Sequence, residues 1–338
     1  MLERICLVPW VSGVGGMVSF RDKFVAGLVA RGVDVTFDLH SVHYDSVLVI
    51  GGTRHLAGLW RAKQRGVPIV QRLDGMNWLH RRLRTGLRHY LRAEYGNWLL
   101  AFIRNHLADR VIYQSQFARD WWERKQGCAP GPAVVVYNGV DLDTFTPCGN
   151  HQLPSDRIRM LLVEGRFQGG YELGVEHAVA LVEGLVNKYG VNMELVVVGG
   201  VTPQVQMRWS ERTPVNLTWA GLVPHERIPE VDRSAHLFFS ADLNAACPNA
   251  VIESMACGTP VIGFDTGALP ELVTAEAGRV VPYGGDPWQL HPPDIDALVG
   301  AAMAVIEQRT HFCWAARARA EAVFSLEMMV EGYLGAMR

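Results

Sequence analysis

The chain has 338 residues, of which 49% are hydrophobic and 20% are charged, and its formal net charge is −2. The composition is typical of a soluble globular protein, and the length exceeds what one hydrophobic core usually spans, so two domains are expected. No apolar run approaches the roughly 20 residues that cross a bilayer, and no basic-then-apolar leader opens the chain, so neither a spanning helix nor a signal peptide is expected.

Six strand-like apolar runs alternate with helical patterns in the first half. They are RICLVPW (4–10), VDVTFDL (33–39), SVLVIGG (46–52), PIVQRL (68–73), RVIYQS (110–115) and AVVVYNG (133–139). One of the helical patterns covers residues 17–32 and ends at Gly32. Runs of this kind, apolar throughout rather than alternating, are typical of parallel strands buried on both faces.

The alternation recurs after a polar break at residues 146–157. The second set of strands is IRMLLVEG (158–165), MELVVVGG (193–200), LTWAG (217–221), HLFFSA (236–241), PVIGF (260–264) and GRVVPYG (278–284). The sequence therefore predicts an α/β protein with two doubly wound Rossmann-like domains, residues 1–150 and 151–318. We expect the domains to face a central cleft at the carboxyl ends of their strands, where such folds bind ligands.

A glycine-rich loop follows the first strand. Gly13, Gly15 and Gly16 allow tight turns and close approach of a ligand, and the helix start that follows favours anions. The loop lacks the dinucleotide fingerprint, since Val18 occupies the place of the third glycine. A turn without a ligand is the alternative interpretation.

The stretch PNAVIESMACG (248–258) predicts a helix that begins at a proline and ends at Gly258. The free amides of Asn249, Ala250 and Val251 at its start can bind a phosphate. Glu253 lies one turn further on, and its carboxylate can accept hydrogen bonds from the cis-diol of a ribose. A buried glutamate that satisfies a local backbone amide is the alternative.

Two further charged residues are candidates because each follows a buried strand. Arg166 follows a strand at a glycine and has a geometry suited to phosphate, although an isolated loop arginine is usually only solvated. Asp74 ends the strand 68–73 and is expected to point into the cleft, although an aspartate before a glycine is also ordinary turn chemistry.

Basic residues are concentrated in one part of the chain. Residues 61–125 contain 14 Lys and Arg against 5 Asp and Glu. Within them, residues 77–110 are also rich in Trp, Leu and Tyr, which suits peripheral contact with a membrane surface or a polyanionic acceptor. A helix that covers the sheet with its arginines facing water is the alternative. No nucleic-acid-binding module is recognisable, so no nucleic acid partner is expected.

Five segments together resemble a retaining glycosyltransferase of family 4, a family with the two-domain glycosyltransferase B (GT-B) fold. They are YNGVDLDTFTP (137–147), VEGRF (163–167), residues 219–242, the most specific segment PNAVIESMACGTPVIGFDTGALPELV (248–273), and the tail 316–334. The resemblance implies that the last helix, residues 319–338, crosses back to the first domain.

The resemblance also implies the roles of the candidate residues. Glu253 corresponds to a glutamate that contacts the ribose of a nucleotide sugar, and Arg166 with the helix amides would hold its diphosphate. The sequence departs from the family at three positions: Ala245 replaces a glutamate, QGG (168–170) replaces a lysine, and Asp74 replaces a histidine. Asp74 would stabilise the positive charge that develops on the sugar, or would orient a hydroxyl group.

The implied function is transfer of a sugar from a nucleotide-diphosphate sugar to a glycan or lipid-linked acceptor, with retention and with neither metal nor cofactor. A degenerate relative that binds nucleotide or glycan without transfer is the alternative, which Ala245 and the missing lysine favour. A dinucleotide-dependent oxidoreductase fits the strand pattern but not the glycine loop. The six scattered cysteines indicate reduced thiols, so we expect a cytoplasmic protein, with the inner face of the membrane as its place of work if residues 77–110 contact lipid.

Overall fold

The computed structural model describes residues 2–13, 15–41, 43–167 and 169–338. The chain forms two compact units. Unit 1 contains Met1–Gly139 and Ser325–Arg338, and unit 2 contains Val140–Phe324. The divisions therefore differ from the predicted boundaries after residues 150 and 318.

The polar break at 146–157 is not a linker, because its backbone is bonded within unit 2. Arg233 Nη1 donates to the carbonyl of Thr146 at 3.0 Å, and Arg317 Nη1 donates to the carbonyl of Phe145 at 2.6 Å. At the other end of unit 2, Val140 N donates to the carbonyl of Phe324 at 2.8 Å. These bonds satisfy the carbonyls of an irregular segment, and they place it with the second unit.

Unit 1 contains a six-stranded parallel sheet. Its strands are β1 (Arg4–Val8), β2 (Asp34–Thr36), β3 (Ser46–Ile50), β4 (Ile69–Leu73), β5 (Arg110–Tyr113) and β6 (Ala133–Val135), in the order β2-β1-β3-β4-β5-β6. Its first helices are α1 (Gly16–Val29), α2 (Leu56–Gln64), α3 (Leu87–Phe102) and α4 (Gln116–Gln126). A 3₁₀ turn, Leu79–Arg81, precedes α3, and a π-helical turn, Ile103–Leu107, continues it.

Unit 2 contains a second parallel sheet. Its strands are β7 (Ile158–Phe167), β8 (Met193–Val201), β9 (Asn216–Gly221), β10 (Leu237–Ser240), β11 (Val261–Phe264) and β12 (Gly278–Val281), in the order β12-β11-β10-β7-β8-β9. Its helices are α5 (Leu173–Tyr189), α6 (Pro203–Arg212), α7 (Ile228–Arg233), α8 (Asn249–Ala256), α9 (Leu269–Leu272), α10 (Ile295–Glu307) and α11 (Arg309–Val323). Short 3₁₀ turns cover His225–Arg227 and Pro287–Gln289.

The last helix, α12 (Leu326–Met337), packs in unit 1. Its Tyr333 ring lies 4.9 Å from the ring of Phe20 and 5.2 Å from that of Phe24 on α1. Arg110 Nη1 on β5 donates to the carbonyl of Ala336 at 2.9 Å. The helix therefore closes one face of the first sheet.

Alternate residues of β1 enter different cores, which shows that both faces of the sheet are covered. Ile5 and Leu7 belong to the cluster under α1 and α12, whereas Cys6 and Val8 belong to the cluster under α2 and α3. The prediction of a two-unit, doubly wound α/β fold is confirmed, and each of the twelve predicted strands is present. Among the described residues, no helix combines the length and apolarity needed to cross a bilayer.

Candidate active site

The start of α8 is a helix end without a side-chain cap. Pro248 has an extended backbone (φ −68, ψ 117), and the helix begins at Asn249 with no capping hydrogen bond from a side chain. The first amides of a helix have no intrahelical acceptor, so those of Asn249, Ala250 and Val251 carry the positive end of the helix dipole. The helix start therefore has the electrostatics of an anion site.

Glu253 lies one turn into α8 and its side chain is only 8% exposed. Nε2 of His225 lies 3.3 Å from its Oε1, and the His225 side chain is 51% exposed. The His225 ring in turn contacts the ring of Phe145, with centroids 5.4 Å apart. Glu253 is therefore a shielded carboxylate beside a partly exposed imidazole. The sequence did not predict the contact between Glu253 and His225.

Asp232 is a second buried carboxyl group close to Glu253. Burial, followed by the negative charge of Glu253, raises the pKa of Asp232 well above its usual value. Neither of its carboxyl oxygens has a hydrogen-bond partner within the described chain.

Two loops contact each other where the chain enters α8. Asn244 has a positive φ of 58°, and the amide of Ala268 donates to the carbonyl of Ala245 at 2.8 Å. Gly267 has a φ of 61°, and a Cβ added there would lie 2.5 Å from both the N and the O of Ala245. The absent side chain at position 267 thus permits the close approach of the two loops.

The sequence predicted that Arg166 lies just after its strand. In the structure it lies within β7. The strand β7 continues to Phe167 through an irregular register between Val163 and Arg166. Bulges of this kind redirect side chains and are common beside active sites. The Arg166 side chain is exposed and makes no hydrogen bond or ion pair with the described residues. Because β7 and β10 are neighbours, Arg166 and the loop into α8 lie at the same edge of the sheet.

The segment expected to replace the family's lysine is partly visible. Gln168 lies outside the described residues. The amide of Gly170 donates to a carboxylate oxygen of Glu172 at 2.7 Å, just before α5. The described part of this turn therefore presents no cation.

Glu164 and Asp242 form an acidic pair at the edge of the second sheet where Arg166 and the loop into α8 lie. The sequence did not predict this pair. Glu164 lies on β7, and Asp242 follows β10 by two residues. Burial, and next the charge of Asp242, raises the pKa of Glu164, while burial raises the pKa of Asp242 from 3.8 to about 7. The sequence offered no signal for this pairing, because the two acids meet only through strand order.

In unit 1, the glycine loop leads directly into α1. Gly15 is the residue before the helix, with a φ of 145°, and Gly16 is its first residue. Nothing lies within 4 Å of a Cβ added at Gly15, so backbone conformation rather than crowding requires glycine there. Arg21 supports the loop by donating to the carbonyl of Val11 and by lying over the Trp10 ring at 4.4 Å.

Asp74 follows β4, and the indole N–H of Trp122 donates to the backbone carbonyl of Asp74 at 2.7 Å. Burial raises the pKa of the Asp74 carboxyl, and the charge of Arg72 opposes the shift. Arg72 is itself 2% exposed, donates to Oδ1 of Asn138 at 3.0 Å and lies over the Phe20 ring at 4.0 Å. Since β1 and β4 are separated by β3, Asp74 and the glycine loop share one sheet edge roughly 10 Å apart.

Helix α3 has one buried and one exposed side. Ala93, Asn97 and Leu99 are buried, whereas Leu87, Leu91, Tyr95 and Trp98 are exposed at spacings of one helical turn. Arg88 and Arg92 lie beside this exposed stripe and have no carboxylate partner in the described part of the chain. Residues 77–110 thus include a helix that contributes to the core and also presents an apolar stripe flanked by arginines.

No group of three or more His, Cys, Asp or Glu side chains in the described ranges has the arrangement of a metal site.

Two glycosyltransferase families match the chain. Residues 159–308, all in unit 2, match the family described as Glycosyl transferases group 1. Residues 38–144, almost all in unit 1, match Glycosyltransferase Family 4. The two matches thus lie in different parts of the chain, and each covers less than half of it.

Curated proteins that are similar to this chain include two with inositol in their names. D-inositol 3-phosphate glycosyltransferase 1 of Catenulispora acidiphila is 25% identical over 295 residues, covering 81% of this chain and 66% of the relative. GDP-mannose-dependent alpha-(1-6)-phosphatidylinositol dimannoside mannosyltransferase of Mycobacterium tuberculosis is 29% identical over 182 residues, covering 50% and 44%. The matches thus span between 44% and 66% of the length of these relatives.

Solved structures share the fold over almost their whole length. Sucrose-phosphate synthase of Thermosynechococcus elongatus superimposes with a TM-score of 0.73 at 19% identity, covering 98% of both chains. Anabaena HepE in complex with UDP and glucose gives 0.68 at 15% identity, covering 98% of both chains. WaaG, a glycosyltransferase of lipopolysaccharide biosynthesis, gives 0.69 at 14% identity with the same coverage.

Proposed function

We propose that the protein is a retaining, metal-independent glycosyltransferase that moves a sugar from a nucleotide-diphosphate sugar to a glycan or lipid-linked acceptor. The observation that carries the proposal is the uncapped start of α8, with Glu253 one turn inside it and Arg166 on the neighbouring strand end. The match of residues 159–308 to glycosyl transferases group 1 includes all three elements.

The proposed donor site uses the α8 start for the diphosphate and Glu253 for the ribose. Free amides at Asn249, Ala250 and Val251 suit the phosphate oxygens, and a carboxylate suits two vicinal hydroxyls. His225, whose own side chain is 51% exposed, holds the Glu253 carboxylate in place through the contact of its Nε2 with Oε1. The neighbour HepE was solved with UDP and glucose, which supports a nucleotide sugar as the ligand class.

In the proposed reaction, the bond between the sugar anomeric carbon and the phosphate oxygen breaks as the acceptor oxygen bonds to the same face. The acceptor proton passes to an oxygen of the leaving diphosphate, so atoms and charge balance. Arg166 and the α8 amides stabilise the negative charge that grows on the diphosphate. Arg166 is suited to this role because no described residue competes for its guanidinium.

We assign Asp74 the stabilisation of positive charge on the sugar. The role requires the ionised form of Asp74; burial raises the pKa of this carboxyl, and the charge of Arg72 opposes that rise. The assignment fails if Asp74→Asn leaves turnover unchanged at saturating substrates. Gly15 and Gly16 are assigned to close contact between backbone and substrate at the start of α1.

For the acceptor side, we propose that α3 contacts a bilayer. Leu87 is 74% and Trp98 is 52% exposed, on a stripe flanked by arginines, and such a helix face suits the headgroup region of an anionic membrane. The relative from Mycobacterium tuberculosis is named for phosphatidylinositol dimannoside, which supports a lipid-linked acceptor here. Contact of this kind would place the enzyme at the inner face of the membrane.

Titration calorimetry with UDP, GDP and their sugar conjugates, paired with an assay for nucleoside diphosphate release, tests the proposal. We expect one nucleotide sugar to bind and to be slowly hydrolysed, and Glu253→Gln to abolish both. The exposed Glu211 on α6 provides the matched control, since Glu211→Gln leaves the site untouched. Binding that survives Glu253→Gln would place the nucleotide elsewhere and refute the proposed site.

A second candidate function is nucleotide or glycan binding without transfer. Ala245 favours it, because the family places a glutamate at that position and the structure offers only a methyl group there. The same assay separates the two functions, since binding without any release of nucleoside diphosphate supports the second.

A further inference from the structure

Unit 2 contains a cavity of about 230 Å³ that the proposed donor site does not use. Its lining includes Arg233, Arg309 and Arg317, together with His151 and Trp314. Gly258, the residue that ends the turn after α8, also lines it. Because α8 rises about 1.5 Å per residue over its eight residues, the cavity lies about 12 Å from the helix start that is assigned to the diphosphate.

The cavity is electropositive because its arginines are bonded mainly to neutral groups. Arg233 donates to the carbonyls of Thr146 and Asn150, and Arg309 Nε donates to the carbonyl of His236 at 3.3 Å. Neither arginine has a carboxylate within 4.0 Å in the described ranges. The buried Asp232 does not line the cavity, and burial raises its pKa. The third arginine, Arg317, has a carboxylate partner, Glu321, at 2.6 Å.

Arg309 is the group best placed to receive a ligand. Its Nε atom is bonded to the carbonyl of His236, which fixes the side chain, while its two terminal nitrogens have no partner among the described residues. A guanidinium held by one nitrogen and open at the other two is suited to a bidentate contact with an oxyanion. In the part of the chain that the structure describes, no acidic side chain lines the cavity to compete with it.

Trp314 adds an apolar wall to the same cavity. Arg309, Cys313 and Arg317 recur every four residues along one face of α11, and Trp314 lines the cavity beside Cys313. Trp314 is 75% exposed, which leaves the face of its indole ring open to contact with a sugar or another ring. The volume is smaller than that of most drug-sized pockets, so the site fits an oxyanion carried on at most one ring.

We propose that this cavity is a second binding site for a small oxyanion, a phosphate, sulfate or carboxylate, whose attached ring packs on Trp314. The oxyanion bonds to the open nitrogens of Arg309, with the charges of Arg233 and Arg317 behind it. Arg317 also donates to the carbonyl of Ala256, the last residue of α8, at 2.8 Å. The bound anion is therefore adjacent to the carboxyl end of the helix whose amino end is assigned to the donor.

Titration calorimetry with inorganic phosphate, and separately with glucose 6-phosphate, tests the site. Each titration is repeated with saturating UDP, because the α8 start can itself bind phosphate. We expect one binding event that persists in UDP and that weakens about tenfold in Arg309→Gln, the size expected for loss of a charged hydrogen bond. The exposed Arg212 at the end of α6 provides the matched control, and Arg212→Gln should bind as the wild type does.

Trp314→Ala separates the anion from its ring, and its high exposure means that folding should be unaffected. It should weaken glucose 6-phosphate binding while leaving inorganic phosphate unchanged. If Arg309→Gln does not fold, Arg309→Lys tests the same site, since it keeps the charge and loses the bidentate fork. Phosphate binding that is absent from the wild type, or equal in the wild type and the Arg309 variants, overturns the proposal.

Discussion

Substituting Gly267 by alanine perturbs the contact between the two loops that lead into α8. The added Cβ would lie 2.5 Å from the N and the O of Ala245 and 2.8 Å from the carbonyl carbon of Asn244. These are backbone atoms, so no rotamer change can relieve the contact, and one of the loops must move. Gly221→Ala is the matched control, because Gly221 has a φ of 66° against 61° for Gly267, but nothing lies within 4 Å of its added Cβ.

The two substitutions share one energetic cost and differ in another. Both force alanine into the left-handed region, which costs about 1–2 kcal/mol. Only Gly267→Ala adds a steric term, for which about 1–3 kcal/mol is typical of overpacking. We therefore expect Gly221→Ala to lower the free energy of unfolding by about 1 kcal/mol and Gly267→Ala by about 3 kcal/mol.

Urea unfolding of the wild type and both variants measures the difference. With a slope of about 2–3 kcal/mol per molar urea, the two variants should differ in midpoint by a little under 1 M. The UDP affinity should also fall in Gly267→Ala alone, because the displaced loop carries the chain into the proposed phosphate site. Equal destabilisation by the two substitutions would refute the idea that close approach, rather than backbone conformation alone, requires glycine at position 267.

Three further predictions concern charged groups. Because the pKa of Asp242 is raised from 3.8 to about 7, its neutral form stabilises the fold below pH 4 and that contribution is lost as the pH rises to 7. Asp242→Asn should therefore gain in urea midpoint relative to the wild type between pH 4.5 and 7.5, and a pH-independent difference would contradict the raised pKa of Asp242. Arg166→Gln should reduce turnover about 100-fold, with thermal unfolding unchanged because the side chain is exposed and unbonded; loss of stability instead would argue for a structural role. Replacing Arg88 and Arg92 by Gln should weaken co-sedimentation with vesicles containing phosphatidylglycerol by about 2 kcal/mol, or roughly 30-fold, while equal binding by wild type and variant would exclude α3 as the docking face.

The positions of the strands in each unit followed from the sequence because parallel, doubly covered strands are continuous apolar runs. The division between the units did not, since the polar segment 146–157 has the composition of a linker. Its assignment to unit 2 depends on carbonyls bonded by Arg233 and Arg317, which lie far along the chain. Composition cannot reveal such bonds.

The candidate site, too, was predictable from the sequence only in part. The start of α8 was predictable because Pro248 and Gly258 mark its ends locally. The contact of Glu253 with His225 and the meeting of Glu164 with Asp242 were not, because each depends on which strands and turns become neighbours. Arg166 was placed just beyond a strand that in fact continues through an irregular register, a deviation with no signature in residue type.

The position of α12 affects the order in which the two units can complete their hydrophobic cores during synthesis of the chain. Phe20 and Phe24 pack against Tyr333, and a Cβ at Gly27 would collide with Val330, so one wall of unit 1 is made of residues translated after all of unit 2. While the ribosome is still elongating the second unit, these aromatic rings have no permanent cover. Unit 1 therefore completes its core only after unit 2 has been synthesised, although its strand β1 leaves the ribosome before any strand of unit 2.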